Sequence, residues 1–221
     1  MVKVRIYVEG GGDSKELHAR CREGFSKLIG KAGFTGRMPR IVACGGRQHA
    51  FDMFQAAIGN GGQDFHPILL VDSEDPVDAQ NELSQGSAAA WNHLQSRDGW
   101  TRPRGIDDDQ AQMMVACMET WIMSDREALR KAFGAGLQIS ALLPENGLEQ
   151  RLKSDVQLAL ENATRTCDRD KAYRKGKRSF QVLAELNPRA LMSLPHFKRF
   201  IEALDGRLPG GTGGIPLCRG T

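Results

Sequence analysis

Residues 67–71, PILLV, run apolar without a break and stop at Asp72. A strand with no polar face suits a position covered on both sides, as in the centre of a parallel sheet. Such a sheet needs helices on its faces and right-handed crossovers, which constrains the rest of the chain. Residues 2–8, VKVRIYV, alternate strictly, with Val2, Val4, Ile6 and Val8 on one face, the period of a strand. Gly10, Gly11 and Gly12 end that strand. Asp13 with Glu16 three residues on then predicts a capped helix through Leu17, Cys21, Phe25 and Leu28 to about Gly33. A further strand is expected at 40–44, broken by Gly45-Gly46, and a helix at about 47–58 carrying Phe51 and Phe54. The order β-α-β-α-β predicts an α/β, Rossmann-like, mainly parallel sheet flanked by helices.

Residues 76–110 read as a loop-rich insertion around one helix that includes Trp91, and 112–118 as an apolar strand or helix. Ser124 and Glu127 predict a second capping box, opening a helix through Leu129 and Phe133. This gives an α/β domain over 1–143, a helical C-terminal part over 144–208 packed on it, and a loose Gly-rich tail over 209–221. Stripes at Leu148, Leu152, Val156 and Leu160, and at Phe197, Phe200, Ile201 and Leu204, mark helices in the second part.

Composition narrows the function less than the fold. At 221 residues, with 40% apolar and 26% charged residues, the chain is neither disordered, nor fibrous, nor a small cysteine-stapled scaffold. Its five cysteines are widely spaced with no C-x-x-C pair, so they read as reduced thiols and predict a cytoplasmic protein. The five histidines form no H-E-x-x-H, which argues against a zinc enzyme. No run is long and apolar enough for a membrane span, and MVKVRIYVEG is no signal peptide. The net charge of +3 does not by itself indicate nucleic acid.

The carboxylates are more informative. In open parallel sheets, ligands bind beyond the carboxyl ends of the strands. Glu9 follows the first strand, inside VEGGGD; Asp72, Glu74 and Asp75 follow the third, inside LLVDSEDP. If the two strands are neighbours, these groups share one rim. Converging carboxylates repel one another, and a hard cation such as Mg²⁺ removes the conflict. The competing reading is that they only solubilise loops. Asp13 reads as an N-cap rather than a ligand, and Asp75-Pro76 as a turn opener. EGGGD is not G-x-G-x-x-G, because Lys15 stands where the third glycine belongs, and no G-K-[ST] is present, which excludes a P-loop.

A glutamate after strand one, a glycine turn into a helix, and D-x-[DE] after a later strand resemble the TOPRIM pattern of topoisomerases, primases, OLD-family nucleases and RloB-like proteins. CGGR at 44–47, METW at 118–121 and YRKG at 173–176 extend the resemblance over about residues 3–205, to a TOPRIM-like bacterial family often encoded beside an ABC- or SMC-like ATPase. Most TOPRIM domains carry D-x-D; this chain has Asp72-Ser73-Glu74, one methylene longer. The resemblance implies a Mg²⁺- or Mn²⁺-dependent nuclease acting on DNA or RNA, with an ATPase partner, in bacterial antiviral defence; a homodimer is compatible with it. The implied ligands are Glu9, Asp72 and Glu74, with Glu9 as general base or as bridge to a second ion. Glu119, in apolar company, is a candidate further ligand or the partner of a buried arginine.

Residues 165–178 hold seven Lys or Arg against Asp168 and Asp170, a local +5 that leaves −2 for the remainder. Concentrated charge suits phosphate contact. Arg169, Lys171, Arg174, Lys175, Lys177 and Arg178 are therefore candidate nucleic-acid contacts, with Tyr173 a candidate base-stacking residue. Lys171 or Lys175 is the candidate for stabilising phosphorane charge. Arg47 follows Gly45-Gly46 at a strand-to-helix turn, which puts it near the same rim as a further candidate contact; the competing reading is a surface arginine. Two other functions stay open: a non-catalytic module binding nucleic acid or the ATPase, and a Mg²⁺-dependent phosphohydrolase with Asp72 as nucleophile.

Overall fold

The computed structural model describes residues 3–60, 62, 65–77, 88–168 and 172–208. Strands β1 (Lys3–Val8), β2 (Arg40–Ala43), β3 (Phe65–Asp72) and β4 (Ala111–Met114) form one sheet in the order β2-β1-β3-β4, every pairing parallel. β3 is central and is buried along nearly its whole length, as its unbroken apolar run requires. Residues 112–118, open between strand and helix in the sequence, divide between them. They end β4 and begin helix α4 (Met118–Ser124).

Both faces of the sheet are covered. Helices α2 (Arg47–Asn60) and α3 (Ala88–Asp98) pack on the side of Tyr7, Leu69 and Val71. The opposite side, built from Val4, Ile6, Val8, Ile68 and Leu70, receives α1 (Lys15–Ile29), α4 and α5 (Arg126–Phe133). The same core includes residues of α6 (Lys153–Thr164), α7 (Lys177–Glu185), α8 (Pro188–Leu191) and α9 (Pro195–Arg207). Trp121, fully buried, ties these layers together. Its ring lies 6.3 Å from Phe25 of α1 and 5.0 and 6.0 Å from Phe197 and Phe200 of α9. Truncating such a side chain typically costs about 3–5 kcal/mol.

Two helix starts differ from expectation by one residue. Ser14, not Asp13, caps α1, its hydroxyl accepting from Leu17 N at 3.1 Å. Asp125, not Ser124, caps α5, accepting from Ala128 N at 2.9 Å, while Ser124 is the last residue of α4. In each case two adjacent residues can both cap, and the turn before the helix decides which one does.

Candidate metal centre and phosphate cleft

β1 and β3 are neighbours in register, Val8 opposite Leu70, and Glu9 N donates to Leu70 O at 2.9 Å. That pairing brings the ends of the two strands together. One carboxylate oxygen from each of Glu9, Asp72 and Glu74 falls within a group whose members lie within 4.8 Å of one another. Asp72 N donates to Glu9 Oε2 at 3.1 Å, so the backbone of one candidate ligand orients the side chain of the other. Glu74 has φ +69°, a left-handed conformation that non-glycine residues rarely adopt. Such strain costs roughly 1–3 kcal/mol and tends to persist at functional sites.

Lys153, the first residue of α6, completes the cluster. Its ammonium lies 3.0 Å from Asp72 Oδ2 and 2.5 Å from Glu74 Oε1. Asp72 Oδ1 accepts from Met118 N at 2.9 Å. Burial, followed by the nearby Glu9 charge, pushes the Asp72 carboxyl up to about 7, against the pull of Lys153. Glu9 is also raised, chiefly by burial, with Arg47 opposing. Burial alone would lower Lys153; Asp72 and Glu74 outweigh it and hold the ammonium above its ordinary range. The donors are hard oxygens on a shared rim, the set that Mg²⁺ or Mn²⁺ takes.

A cleft of about 430 Å³ opens beside Glu9 and Asp72. Its walls include the Gly10–Gly12 turn, Gly45-Gly46, Glu119 and Lys175. Glycine is required where the two turns meet. A Cβ on Gly45 would stand 2.7 Å from Gly12 O, and Gly10 and Gly45 exchange backbone hydrogen bonds at 2.8 Å. The amides of Gly11, Gly12 and Gly46 donate to no acceptor among the described residues, which leaves them available to an anion. Glu119 is 1% exposed; its Oε1 accepts from the Tyr173 hydroxyl at 2.5 Å, and its Oε2 has no partner.

The structure sorts the candidate contacts. Glu9, Asp72 and Glu74 converge, and Glu119 and Lys175 line the adjoining cleft, Glu119 outside the three-carboxylate group. Arg174 and Lys177 are exposed, and Lys177 lies 3.7 Å from Glu16. Arg169 and Lys171 lie outside the described residues. Three expectations need correction. Tyr173 is buried with its hydroxyl on Glu119, so it is not a stacking surface for a base. Arg178 turns inward, donating to Ala132 O at 2.5 Å over the Phe133 ring. Arg47 does stand at the rim, but its guanidinium is already engaged there and is no free contact for nucleic acid. It grips Asp98 with two bonds of 3.0 and 2.6 Å, donates to Asp72 O, and lies 3.6 Å from Glu9. Lys153, which no sequence motif marks, is the cation that the structure adds to this group.

A family model described as Domain of unknown function (DUF4276) matches residues 8–205, nearly the whole chain, and the chain belongs to that family. No curated protein and no solved structure matches it. Among the described residues, no helix is long and apolar enough to cross a membrane.

Proposed function

We propose that this DUF4276 protein is a Mg²⁺- or Mn²⁺-dependent, TOPRIM-like nuclease that hydrolyses phosphodiester bonds in DNA or RNA. The observation that carries the reading is the convergence of Glu9, Asp72 and Glu74 within 4.8 Å beside a glycine-walled cleft. These three residues would hold the ion, which when bound polarises the phosphate and acidifies an attacking water. The free amides of Gly11, Gly12 and Gly46, together with Lys175, bind the phosphate oxygens. Glu119, on the cleft wall and held in place through Tyr173, would serve as proton acceptor for the attacking water. Lys153 spaces the carboxylates and neutralises charge developing on the phosphorane. Its partners by the same resemblance are nucleic acid and an ABC- or SMC-like ATPase, and its setting is cytoplasmic antiviral defence.

One observation favours a second reading. Lys153 already bridges Asp72 and Glu74, which is what a non-catalytic module would do to neutralise these carboxylates without metal. An Asp72 nucleophile is less well supported, because both of its oxygens are engaged, by Met118 N and Lys153 Nζ. The test is cleavage of plasmid, single-stranded DNA and tRNA in Mg²⁺ or Mn²⁺, with and without a neighbouring ATPase. Wild type should cleave and Glu9→Ala should not. Identical behaviour of the two proteins in every condition would overturn the nuclease reading.

A further inference from the structure

A second basic feature lies on the α2 side of the sheet, away from the carboxylates. Alternation along β1 places Lys3, Arg5 and Tyr7 on that side, and Arg40 and Val42 follow on β2, with Arg5 and Arg40 directly in register. Neighbouring strands are only about 4.8 Å apart, and like charges on adjacent strands of one face repel each other. No carboxylate among the described residues pairs with Lys3, Arg5 or Arg40. By contrast, Arg37, Arg47, Arg97, Arg126 and Arg207 each have a carboxylate within 4.0 Å.

Arg5 is held in place without being neutralised. Its Nη1 donates to the Tyr7 hydroxyl at 3.2 Å, its guanidinium lies 5.0 Å from the centre of the Phe65 ring, and its buried Nε has no acceptor. Beside it opens a hollow of about 500 Å³ lined by both arginines and by the apolar side chains of Val42, Met53 and Ala57. Two guanidiniums on one edge of an apolar hollow call for a ligand with an anion at one end and a flat apolar body at the other. Guanidinium forks suit phosphate, and the neighbouring Lys3 adds charge matched to a dianion better than to a carboxylate.

We propose that this hollow is a nucleotide-binding site that takes a terminal phosphate monoester on Arg5 and Arg40, with the base against Val42, Met53 and Ala57. The phosphate can come from a free mononucleotide or from the 5′ end of a strand. The site does not depend on hydrolysis in the cleft, so binding is measured in EDTA by fluorescence anisotropy. The probes are a short oligothymidylate with and without a 5′-phosphate, and AMP as competitor. Wild type should prefer the phosphorylated strand, and Arg40→Ala and Arg5→Gln should each weaken its binding about tenfold and abolish the preference. The salt dependence should fall by about 0.7 in slope for each arginine removed. Lys198→Ala, at an exposed position of α9, should leave binding unchanged. Competition by AMP that requires both arginines assigns a free nucleotide as the source; arginine-dependent strand binding without it assigns the strand end. Loss of the same size in Lys198→Ala, or no 5′-phosphate preference in wild type, would overturn the proposal. Because Arg40 is exposed, its variant should fold normally, and its thermal melt checks this. A protein that binds as described but cleaves nothing would reject the nuclease reading alone.

Discussion

Asp125 and Asp72 are both buried carboxylates, 3% and 5% exposed, and both accept a backbone amide at a helix start. Asp125 gives its second oxygen to another amide, Asn187 N at 2.7 Å, and so joins α5 to the start of α8. Glu149 is used in the same way, with Oε1 on His196 N at 3.1 Å and Oε2 on His196 Nδ1 at 2.7 Å. At the rim, by contrast, Asp72 gives its second oxygen to a lysine it shares with Glu74, Glu9 crowds it, and Glu119 keeps an oxygen with no partner at all. A carboxylate satisfied by fixed amides holds the fold together. Carboxylates crowded together, raised in pKa or left with a free oxygen are incomplete without something further, and a buried group in that state costs stability.

Exchanging the two kinds of residue should therefore give opposite phenotypes. The largest effect is expected for Asp72→Asn: cleavage should fall about a thousandfold or more, with the melting temperature unchanged or raised. Asp125→Ala should do the reverse, lowering stability by about 3 kcal/mol in a urea titration while activity per folded molecule is retained. If Asp72→Asn unfolds the protein and Asp125→Ala selectively stops cleavage, the distinction is broken.

The distinction is also visible in pH. Asp72 titrates at about 7 in the folded protein against an ordinary 3.8. The folded state therefore holds a proton that the unfolded chain has lost, and the contribution of Asp72 to stability declines as pH rises through that window. In EDTA, wild type should lose stability relative to Asp72→Asn on going from about pH 4 to about pH 7, read from paired denaturation curves. Mn²⁺ binding, which needs the deprotonated carboxylate, should strengthen over the same range. Smaller effects follow for the lysines. Lys153→Met should reduce turnover about thirtyfold with little change in KM. Lys175→Ala should raise KM about threefold to tenfold, as loss of an exposed phosphate contact does.

Much of the rim could be read from the sequence because it depends on local signals. An unbroken apolar run places β3 in the centre, strict alternation places β1, and acidic residues directly after both strands place Glu9 and Asp72 at one edge. Lys153 gave no such signal. It lies 81 residues from Asp72, and a lysine in the first turn of a helix ordinarily faces solvent. Tyr173 misleads for the opposite reason: a basic run looks exposed as a whole, but this ring is buried where the chain turns back toward α4. The turn after Gly45-Gly46 is enough to place Arg47 near the rim. Its bonds to Asp98, contributed by the far end of α3, could not be foreseen from spacing.

Whether Glu9, Asp72 and Glu74 form a cation site is decided by a crystal soaked in Mn²⁺ and measured at the manganese edge. An anomalous peak is expected among these three carboxylates, with Lys153 Nζ drawn away from Asp72 Oδ2. A saturating soak that leaves Lys153 bridging Asp72 and Glu74, with no peak between the carboxylates, would contradict it.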